Sequence, residues 1–439
     1  MFGRIRDLIR TSFFFVPMLM ITAALVGSAI FVYIDRVAGL EGLRATGWIY
    51  RHSPAGARAL LQAVAGSMIT TAGIAFSIMV VVLALAANQF GSRVLRNYMR
   101  DRGNQFTLGM FVATFIYCLM VMRTVHGNDT GPVFVPGISI LVAIALVIGS
   151  VIVLVYFIHH TTQSIQAENI LAAVAREFRD AAERLLPQRD SLDRRIGDEG
   201  NLPAEFPTRS KLVQARSSGY LQMIDTGALV KLATEADLCV ESLQPPGAFI
   251  YTGAQIARYM CFGDEEKDIA QRIRGAFALG NYRTYLQDVS FGIQQIVLIM
   301  VRAMSPAIND PFTAMACVDR LGEALALLSS RDMPPSKHFD NDGALRLVDC
   351  RPTLSELVES TLAPARSAAR NSLLVSQHLL RTLAQLATGE SSSRLRPLLQ
   401  REAVRLVADC EQVMEARSDL EQVQEEYRRT FGSLGERAA

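Results

Sequence analysis

One segment of the chain, residues 283–313, combines an apolar helical pattern with polar side chains of the kinds that bind ligands. Asp288, Gln295 and Arg302 recur every seven residues, so on a continuous helix they would share one face. A polar stripe on an apolar helix indicates a buried hydrogen-bond network or a cavity lined by polar side chains, because a buried polar group without a partner is costly. The segment therefore predicts a ligand or gating site with these candidate members: Arg283, Asp288, Gln295, Arg302, Asn309 and Asp310.

The two proline dipeptides of this segment also have a purely structural interpretation. Ser305-Pro306 and Asp310-Pro311 each place a capping side chain directly before a proline, as at the first turn of a helix. They predict two successive helix starts, and this role accounts for Ser305 and Asp310 more readily than ligand binding does. It accounts neither for Asn309 nor for the polar stripe, so the ligand site stays open as the minority interpretation.

The sequence carries no familiar catalytic or metal-binding motif. Its six cysteines are scattered, without a Cys-x-x-Cys pair or a cysteine–histidine cluster. HExxH, GxSxG and glycine-rich phosphate loops are also missing. We therefore predict neither a metal nor a cofactor, and an enzyme is the least supported class of function, although the sequence leaves it open.

Four long apolar stretches precede residue 160. Hydrophobic residues make up 50% of the chain and charged residues 20%, which requires the two kinds to be segregated along it. About 20 apolar residues cross the hydrocarbon core of a bilayer as a helix. The sequence thus predicts a transmembrane domain over residues 1–160, with spans at about 12–34, 63–87, 106–122 and 135–158.

The composition of the spans favours some transport mechanisms over others. Their interiors contain no Asp, Glu, Lys, Arg or His, which argues against pumps and proton-coupled carriers. A channel can instead be lined by backbone and hydroxyl groups, and the second span offers four candidates: Ser67, Thr70, Thr71 and Ser77. Close packing between helices explains such small residues more often than a pore does.

Arginines near the span ends predict the orientation of the protein. The first ten residues and the loop at 88–105 carry seven arginines, whereas the loops at 35–61 and 123–134 carry five. By the positive-inside rule, we expect both termini to lie on the cytoplasmic side of the membrane. In an oligomer, Arg93 and Arg96 would form a positive pore mouth, but orientation and attraction to acidic lipid heads explain them more simply.

The chain changes character after residue 160. The pattern predicts a helical stalk at 161–186, a linker at 187–210 and a cytoplasmic α+β domain at 211–439. Within that domain we expect a strand at 219–224, a helix capped by Asp225, two strands around the Pro-Gly turn at 245–247, and two long final helices, at about 353–388 and 394–430. The predicted fold class is mainly α: a four-helix transmembrane region followed by a mostly helical cytoplasmic domain with a small β-rich module.

Several motifs resemble those of a known family. They are ANQFGSRVLRNYMRDRGNQFTLGMFVATFIY (87–117), GYLQMID (219–225), PPGAFIYTG (245–253), FALGNYRTYLQDVSFGIQQI (277–296) and RAMSPAINDPFTA (302–314). On these motifs the chain is identified as a member of the bacterial predicted membrane proteins called domain of unknown function twenty-two fifty-four. The resemblance implies four spans followed by a cytoplasmic region, and it implies no catalytic residues. Family members often have Gln-Phe-Ser-Pro-Arg where this chain has Gln-Phe-Gly-Ser-Arg at 89–93, so a sharp break after Phe90 is less strongly indicated.

Two classes of function are compatible with these sequence features. The first is an oligomeric, channel-like or permeation protein gated by its cytoplasmic domain. The alternative is a membrane-anchored regulatory or scaffold protein without a pore. In both cases the expected partners are the lipid bilayer and further copies of the chain, with a small ligand or a protein partner left open. Nucleic acid is not expected, because the net charge is only +2.

Overall fold

The computed structural model describes residues 14–37, 53–90, 101–127, 133–164, 166–189, 201–263, 268–389 and 394–436. The chain divides into two compact units, Met1–Ile170 and Leu171–Ala439. The described residues are mainly α-helical, with four long apolar helices first and a helical region containing two small sheets after them. This architecture confirms the predicted fold class.

Four helices occupy the described part of the first unit: α1 (Phe15–Val37), α2 (Pro54–Phe90), α3 (Arg102–Thr124) and α4 (Gly137–Ser164). All four are long and apolar enough to cross a membrane, judged by length and composition. They cover the four predicted stretches, but α2 begins at Pro54 rather than at residue 63. In the most apolar 18 residues of each helix, 50% of the residues of α3 are buried, compared with 17%, 28% and 22% in α1, α2 and α4. α3 is therefore the central helix of this unit.

An acidic residue at the end of α1 fastens it to the start of α4. The Asp35 carboxylate accepts hydrogen bonds from the backbone N–H groups of Ile138 and Ser139, each at 2.9 Å, and from the Ser139 hydroxyl at 2.6 Å. The first N–H groups of a helix have no partner within that helix, so Asp35 acts as an N-cap supplied by another helix. The predicted first span ends at residue 34, so the prediction did not include this contact.

We expect Asp35→Ala to destabilise the first unit by about 1–3 kcal/mol, because it removes a charged acceptor from three donors at once. The thermal unfolding midpoint of the full chain in detergent measures the effect. Asp35→Asn is the matched control: it keeps the volume and one acceptor oxygen, and its midpoint should fall between those of wild type and Asp35→Ala. An Asp35→Ala protein as stable as wild type would show that the cap is dispensable.

A second polar contact joins the start of α3 to the end of α4. Asp101 caps α3 by accepting a hydrogen bond from the Gly103 N–H at 2.7 Å. Its second oxygen lies 2.7 Å from His160 Nε2, in the last turns of α4. Asp101 therefore contacts both its own helix and α4.

The second unit contains most of the shorter elements. Among the described residues its helices are α5 (Ala167–Leu185, which begins at the unit boundary), α6 (Phe206–Arg209), α7 (Thr226–Glu235), α8 (Ile269–Gly275), α9 (Ser290–Ala303), α10 (Pro311–Ser329), α11 (Leu354–Ala369), α12 (Leu373–Thr388), α13 (Arg396–Val413) and α14 (Arg417–Glu436). Its strands are β1 (Lys211–Gln214), β2 (Gly219–Ile224), β3 (Leu238–Ser242), β4 (Phe249–Ile250), β5 (Gln255–Cys261), β6 (Phe277–Gly280), β7 (Lys337–Phe339) and β8 (Leu345–Val348).

The strands of the β-rich module form two sheets. One sheet has the order β1-β5-β3-β8-β7 and the other has the order β4-β2-β6. The two strands predicted on either side of the Pro-Gly turn are present as β3 and β5, and they pair antiparallel. The connection between them is not a simple turn, however, because it contributes β4 to the second sheet, where β4 pairs with β2. A shared core of side chains from both sheets and the short helices holds the module together.

The end of the chain departs from the prediction. Instead of two long helices there are four, α11 to α14, with breaks at residues 370–372 and 414–416. After the first break, Ser372 caps α12, since its hydroxyl accepts a hydrogen bond from the Val375 N–H. Each of the four helices buries an apolar face, so the apolar periodicity continues past both breaks and the pattern alone did not reveal them.

Candidate functional site

A buried ion pair lies in the first part of segment 283–313. The Arg283 Nε and Nη2 atoms lie 2.8 and 2.5 Å from Oδ2 of Asp288. The two side chains are 14% and 5% exposed. The pair is positioned by the loop between β6 and α9, so it precedes the helix.

Two neighbouring side chains, Ser290 and Gln294, form hydrogen bonds to the ion pair. The Ser290 hydroxyl donates to the second Asp288 oxygen, Oδ1, at 2.7 Å and accepts from Arg283 Nη2 at 2.9 Å. Arg283 Nη1 donates to the side-chain carbonyl of Gln294, and the guanidinium also lies over the Phe291 ring, 5.5 Å from its centroid. Both oxygens of the carboxylate thus have donors, which is the condition under which a buried ion pair is tolerated.

The Pro-Pro-Gly turn at residues 245–247 packs closely against this network. Gly247 has a φ of +91°, and a Cβ atom built on it would lie 2.1 Å from Asp288 Oδ2. Only glycine satisfies both the backbone conformation and the close approach. The sequence showed the turn but carried no signal that it meets Asp288.

The predicted seven-residue stripe is interrupted at its first member. α9 begins at Ser290, so Asp288 lies before the helix and not on it. Gln295 is on α9 and is 8% exposed, and Arg302 lies in its last turn. The adjacent Gln287 pairs with the backbone of Ile224, donating to its carbonyl and accepting from its N–H, each at 2.8 Å.

The last residues of segment 283–313 have structural roles between α9 and α10. Asp310 caps α10 by accepting from the Thr313 N–H at 3.0 Å and from its hydroxyl at 2.6 Å, and the Thr313 contacts lower the pKa of the Asp310 carboxyl. Asn309 has a φ of +48°, a left-handed conformation that asparagine tolerates better than most residues. The predicted helix start at Ser305 is wrong, because its hydroxyl instead donates to the Arg302 carbonyl at 2.7 Å within a turn.

The candidate ligand residues therefore fall into two groups. Arg283 and Asp288 meet before α9, whereas Asn309 and Asp310 follow it. The 14 residues of α9 separate the groups by about 21 Å along the helix axis. One compact site cannot include both groups, and the ion pair is the group with the features of a built site.

The candidate pore residues of α2 are hydroxyl side chains facing away from the rest of their unit. Ser67, Thr70 and Ser77 are exposed and Thr71 is half-buried. The hydroxyls of Ser67, Thr70 and Thr71 donate to the carbonyls four residues earlier, at 2.8, 2.9 and 2.9 Å. Arg93 and Arg96, the candidate mouth residues, lie outside the described residues.

The loop that carries the ion pair is packed against α5. Arg184 of α5 donates to the carbonyl of Tyr285, in this loop, at 2.7 Å. The segment after α10 also reaches the end of α5, where Arg331 donates to the carbonyl of Leu186 at 3.0 Å. A Cβ atom built on Gly292 would lie 2.9 Å from the Cβ of Phe178, which shows how closely α5 and α9 approach. The apolar pattern of α5 is visible in the sequence, but the surface against which it packs is not.

The fold and site define a class: a chain with four helices of membrane-spanning length, followed by a helical and β unit with a buried ion pair. The chain belongs to the family described as "Predicted membrane protein (DUF2254)", whose model matches residues 10–385. It is similar to the uncharacterized proteins Rv1290c of Mycobacterium tuberculosis and Mb1321c of Mycobacterium bovis, each 32% identical over 343 residues, or 77% of this chain. The match spans 65% of the length of these two relatives. No solved structure matches the chain.

Proposed function

We propose that this protein is an oligomeric, channel-like permeation protein of a bacterial inner membrane, with both termini in the cytoplasm and its second unit acting as the gate. The observation that carries the proposal is the surface of α2. A stripe of small and hydroxyl-bearing residues runs between larger apolar side chains on the exposed side of this helix, and the opposite face packs on the other helices of the unit.

The stripe extends over about three turns of α2. Gly66, Thr70, Gly73 and Ser77 follow one another at positions i, i+4, i+7 and i+11, which fall on one side of a helix. A Cβ atom built on either glycine would meet nothing within 4 Å. The opposite stripe is buried, and its members are Ala57, Leu61, Ala65, Met68, Ala72, Ala75, Met79, Val82 and Ala86. A face of small residues allows a second helix to approach closely, so it suits contact with another copy of the chain.

Hydroxyl groups on such a face also suit a permeation path. Each hydroxyl that donates to a backbone carbonyl of its own helix keeps its oxygen lone pairs available. In a ring of subunits, these oxygens would line the space between the copies of α2 and replace part of the hydration shell of an ion. No ionisable side chain is needed for this mechanism, in agreement with the composition of the spans.

Cross-linking tests the contact between copies. We expect Thr70→Cys to form disulfide-linked dimers when the full chain is oxidised in membranes. The matched control is Ile152→Cys, because Ile152 is 67% exposed on α4 but lies outside the small-residue face. The unmodified chain is the second control. Dimers from both cysteine variants alike, or from neither, would contradict an interface along this face of α2.

Ion flux through liposomes containing the purified chain tests the pore. We expect flux that Thr70→Ile lowers by at least about tenfold and that Arg93→Gln and Arg96→Gln alter, with Ile152→Val as the matched control. Absence of flux under every gating condition tried, together with a monomeric protein in detergent, would refute the proposal.

One observation favours the alternative, a membrane-anchored scaffold without a pore. The back-bonded hydroxyls of α2 are already satisfied by its own backbone, so they can pack dry against a neighbouring helix. The two experiments separate the alternatives: specific Thr70 cross-links without flux would support the scaffold.

A further inference from the structure

Two buried polar side chains at one end of the α3–α4 contact have atoms without a hydrogen-bond partner among the described residues. Asn104, in the first turn of α3, is 0% exposed, and neither its side-chain oxygen nor its side-chain nitrogen has a partner. Thr161, in the last turn of α4, is 5% exposed, and its hydroxyl has no partner either. Buried polar groups are costly unless they bind protein or ordered water, so these atoms indicate a bound ligand.

The hydroxyl of Thr161 differs from the other hydroxyls of these two helices. Within the described parts of α3 and α4, every other serine and threonine forms a hydrogen bond, most of them to a backbone carbonyl three or four residues earlier. The adjacent Thr162, for example, donates to the carbonyl of Ile158 at 2.8 Å. Thr161 does not use this local acceptor, so its hydroxyl is available to a ligand.

Asn104 and Thr161 lie at the same level of the two helices. The start of α3 meets the end of α4, so the helices are antiparallel, and the hydroxyl of Thr114 lies 3.3 Å from that of Ser150. Asn104 precedes Thr114 by ten residues, and Thr161 follows Ser150 by eleven. These spacings correspond to about 15 and 17 Å along the helix axes, so the two levels differ by only about 2 Å.

The two side chains also lie on the faces where α3 and α4 meet. Asn104 shares a face of α3 with Phe111, seven residues later, and Thr161 shares a face of α4 with Phe157, four residues earlier. Phe111 and Phe157 belong to one buried apolar cluster. The polar atoms of Asn104 and Thr161 therefore continue this interface beyond its apolar part.

The residues directly before Asn104 and Thr161 touch each other. A Cβ atom built on Gly103 would lie 2.9 Å from Nε2 of His160. The same nitrogen lies 2.7 Å from one oxygen of Asp101, and the other oxygen accepts from the Gly103 N–H. Both oxygens of the neighbouring carboxylate are thus occupied, so the ligand of Asn104 and Thr161 does not need a charge.

The three atoms without partners specify the chemistry of the ligand. An amide nitrogen requires an acceptor, an amide oxygen requires a donor, and a hydroxyl can act as either. A metal cation would satisfy the oxygens and leave the amide nitrogen without a partner. A water molecule both donates and accepts, and buried waters typically have about three polar partners. Exchanging the oxygen and nitrogen of the amide would not change this match.

We propose that Asn104 and Thr161 bind a buried water molecule that bridges α3 and α4. The water accepts a hydrogen bond from Nδ2 of Asn104 and donates its two hydrogens to Oδ1 of the same amide and to Oγ1 of Thr161. The core of a bilayer offers no water to polar groups, so an internal water allows both side chains to remain between helices of membrane-spanning length. This site is independent of the proposed pore.

Thermal unfolding of the full chain in nanodiscs tests the site. Asn104→Leu and Thr161→Val remove the polar atoms with little change in side-chain volume. Each substitution takes one partner away from the water and from the opposite side chain, so we expect the unfolding midpoint to fall by about 2–4 °C in each variant. If the atoms instead had no partner at all, each substitution would remove an unsatisfied group and raise the midpoint, which would overturn the proposal.

The double variant tests whether one ligand serves both side chains. No hydrogen bond joins Asn104 to Thr161 among the described residues, and a shared water would couple them. We expect the double variant to lose less than the sum of the two single losses, whereas strictly additive losses would overturn the proposal. Thr162→Val is the matched control, because this exposed hydroxyl bonds within its own helix. It should shift the midpoint by at most about 1 °C and show no coupling to Asn104→Leu.

Two further measurements identify the ligand. Replacing sodium and potassium in the buffer by N-methylglucamine should leave the wild-type midpoint unchanged, and a fall that is absent in Thr161→Val would overturn the assignment to water. An experimental density map of wild type should show a peak between the side chains of Asn104 and Thr161, and a map of these side chains without that peak would overturn the proposal. If Asn104→Leu does not fold, the map and the comparison of Thr161→Val with Thr162→Val decide the outcome.

Discussion

Asp288→Asn should lower the local free energy of unfolding around α9 by about 3–5 kcal/mol, the range found when one partner of a buried ion pair is removed. Asparagine keeps the volume of the side chain but not its charge, so Arg283 remains as a buried cation without a counter-ion. Asp288 is 5% exposed, and water therefore cannot compensate for the loss. Hydrogen exchange of the α9 amides in the full chain measures the effect.

The double variant separates charge from packing. Arg283→Met alone should destabilise as Asp288→Asn does, since it leaves the carboxylate unpaired. When the two changes are combined, we expect a loss smaller than the sum of the single losses, because no unpaired charge remains. Asp342→Asn is the matched control at an exposed turn and should change stability by less than about 0.5 kcal/mol. Strictly additive single losses would show that the pair is not energetically coupled.

Gly247→Ala is expected to be nearly as disruptive. An L-residue at a φ of +91° is strained by about 1–2 kcal/mol. In addition, the new Cβ would lie 2.1 Å from Asp288 Oδ2, so the carboxylate has to move and the ion pair is broken or displaced. We expect a total loss above about 3 kcal/mol from the strain and the disrupted pair together, measured again by exchange of the α9 amides.

Gly253 supplies the matched control for this change. It has a φ of +85°, but a Cβ atom there would meet nothing within 4 Å. Gly253→Ala therefore carries the backbone strain without the collision, and it should be less destabilising by about 2 kcal/mol. If the two alanine variants lose the same stability, the approach of the turn to Asp288 has no energetic importance.

Local chemistry explains which parts of the fold were predictable. Asp225 caps α7 and Asp310 caps α10, as their types and positions indicated, because a short acidic side chain before a helix has few other roles. The four apolar helices of the first unit were also predictable, since length and composition decide them. These features depend on residues that are close together in the sequence.

The candidate site depends on contacts between residues that are distant in the sequence, and the sequence analysis did not predict these contacts. Gly247 meets Asp288 across 41 positions of the chain, and Asp35 meets Ser139 across 104. A seven-residue spacing suggested that Asp288 lies on the same helix as Gln295, but α9 starts only after Asp288. Periodicity describes a face once a helix exists, and it does not locate where the helix begins.

The length of α2 has a consequence for the lipid around it. Its 37 residues make a rod of about 56 Å, whereas the hydrocarbon core of a bilayer is about 30 Å thick. Even at a tilt of about 40° the rod exceeds that thickness, so part of it stands in the headgroups or in water. α1 and α3, with 23 residues each, measure about 35 Å and fit one thickness of membrane. A thicker or thinner bilayer would therefore be mismatched to α1 and α3, whereas α2 is long enough to cross either one.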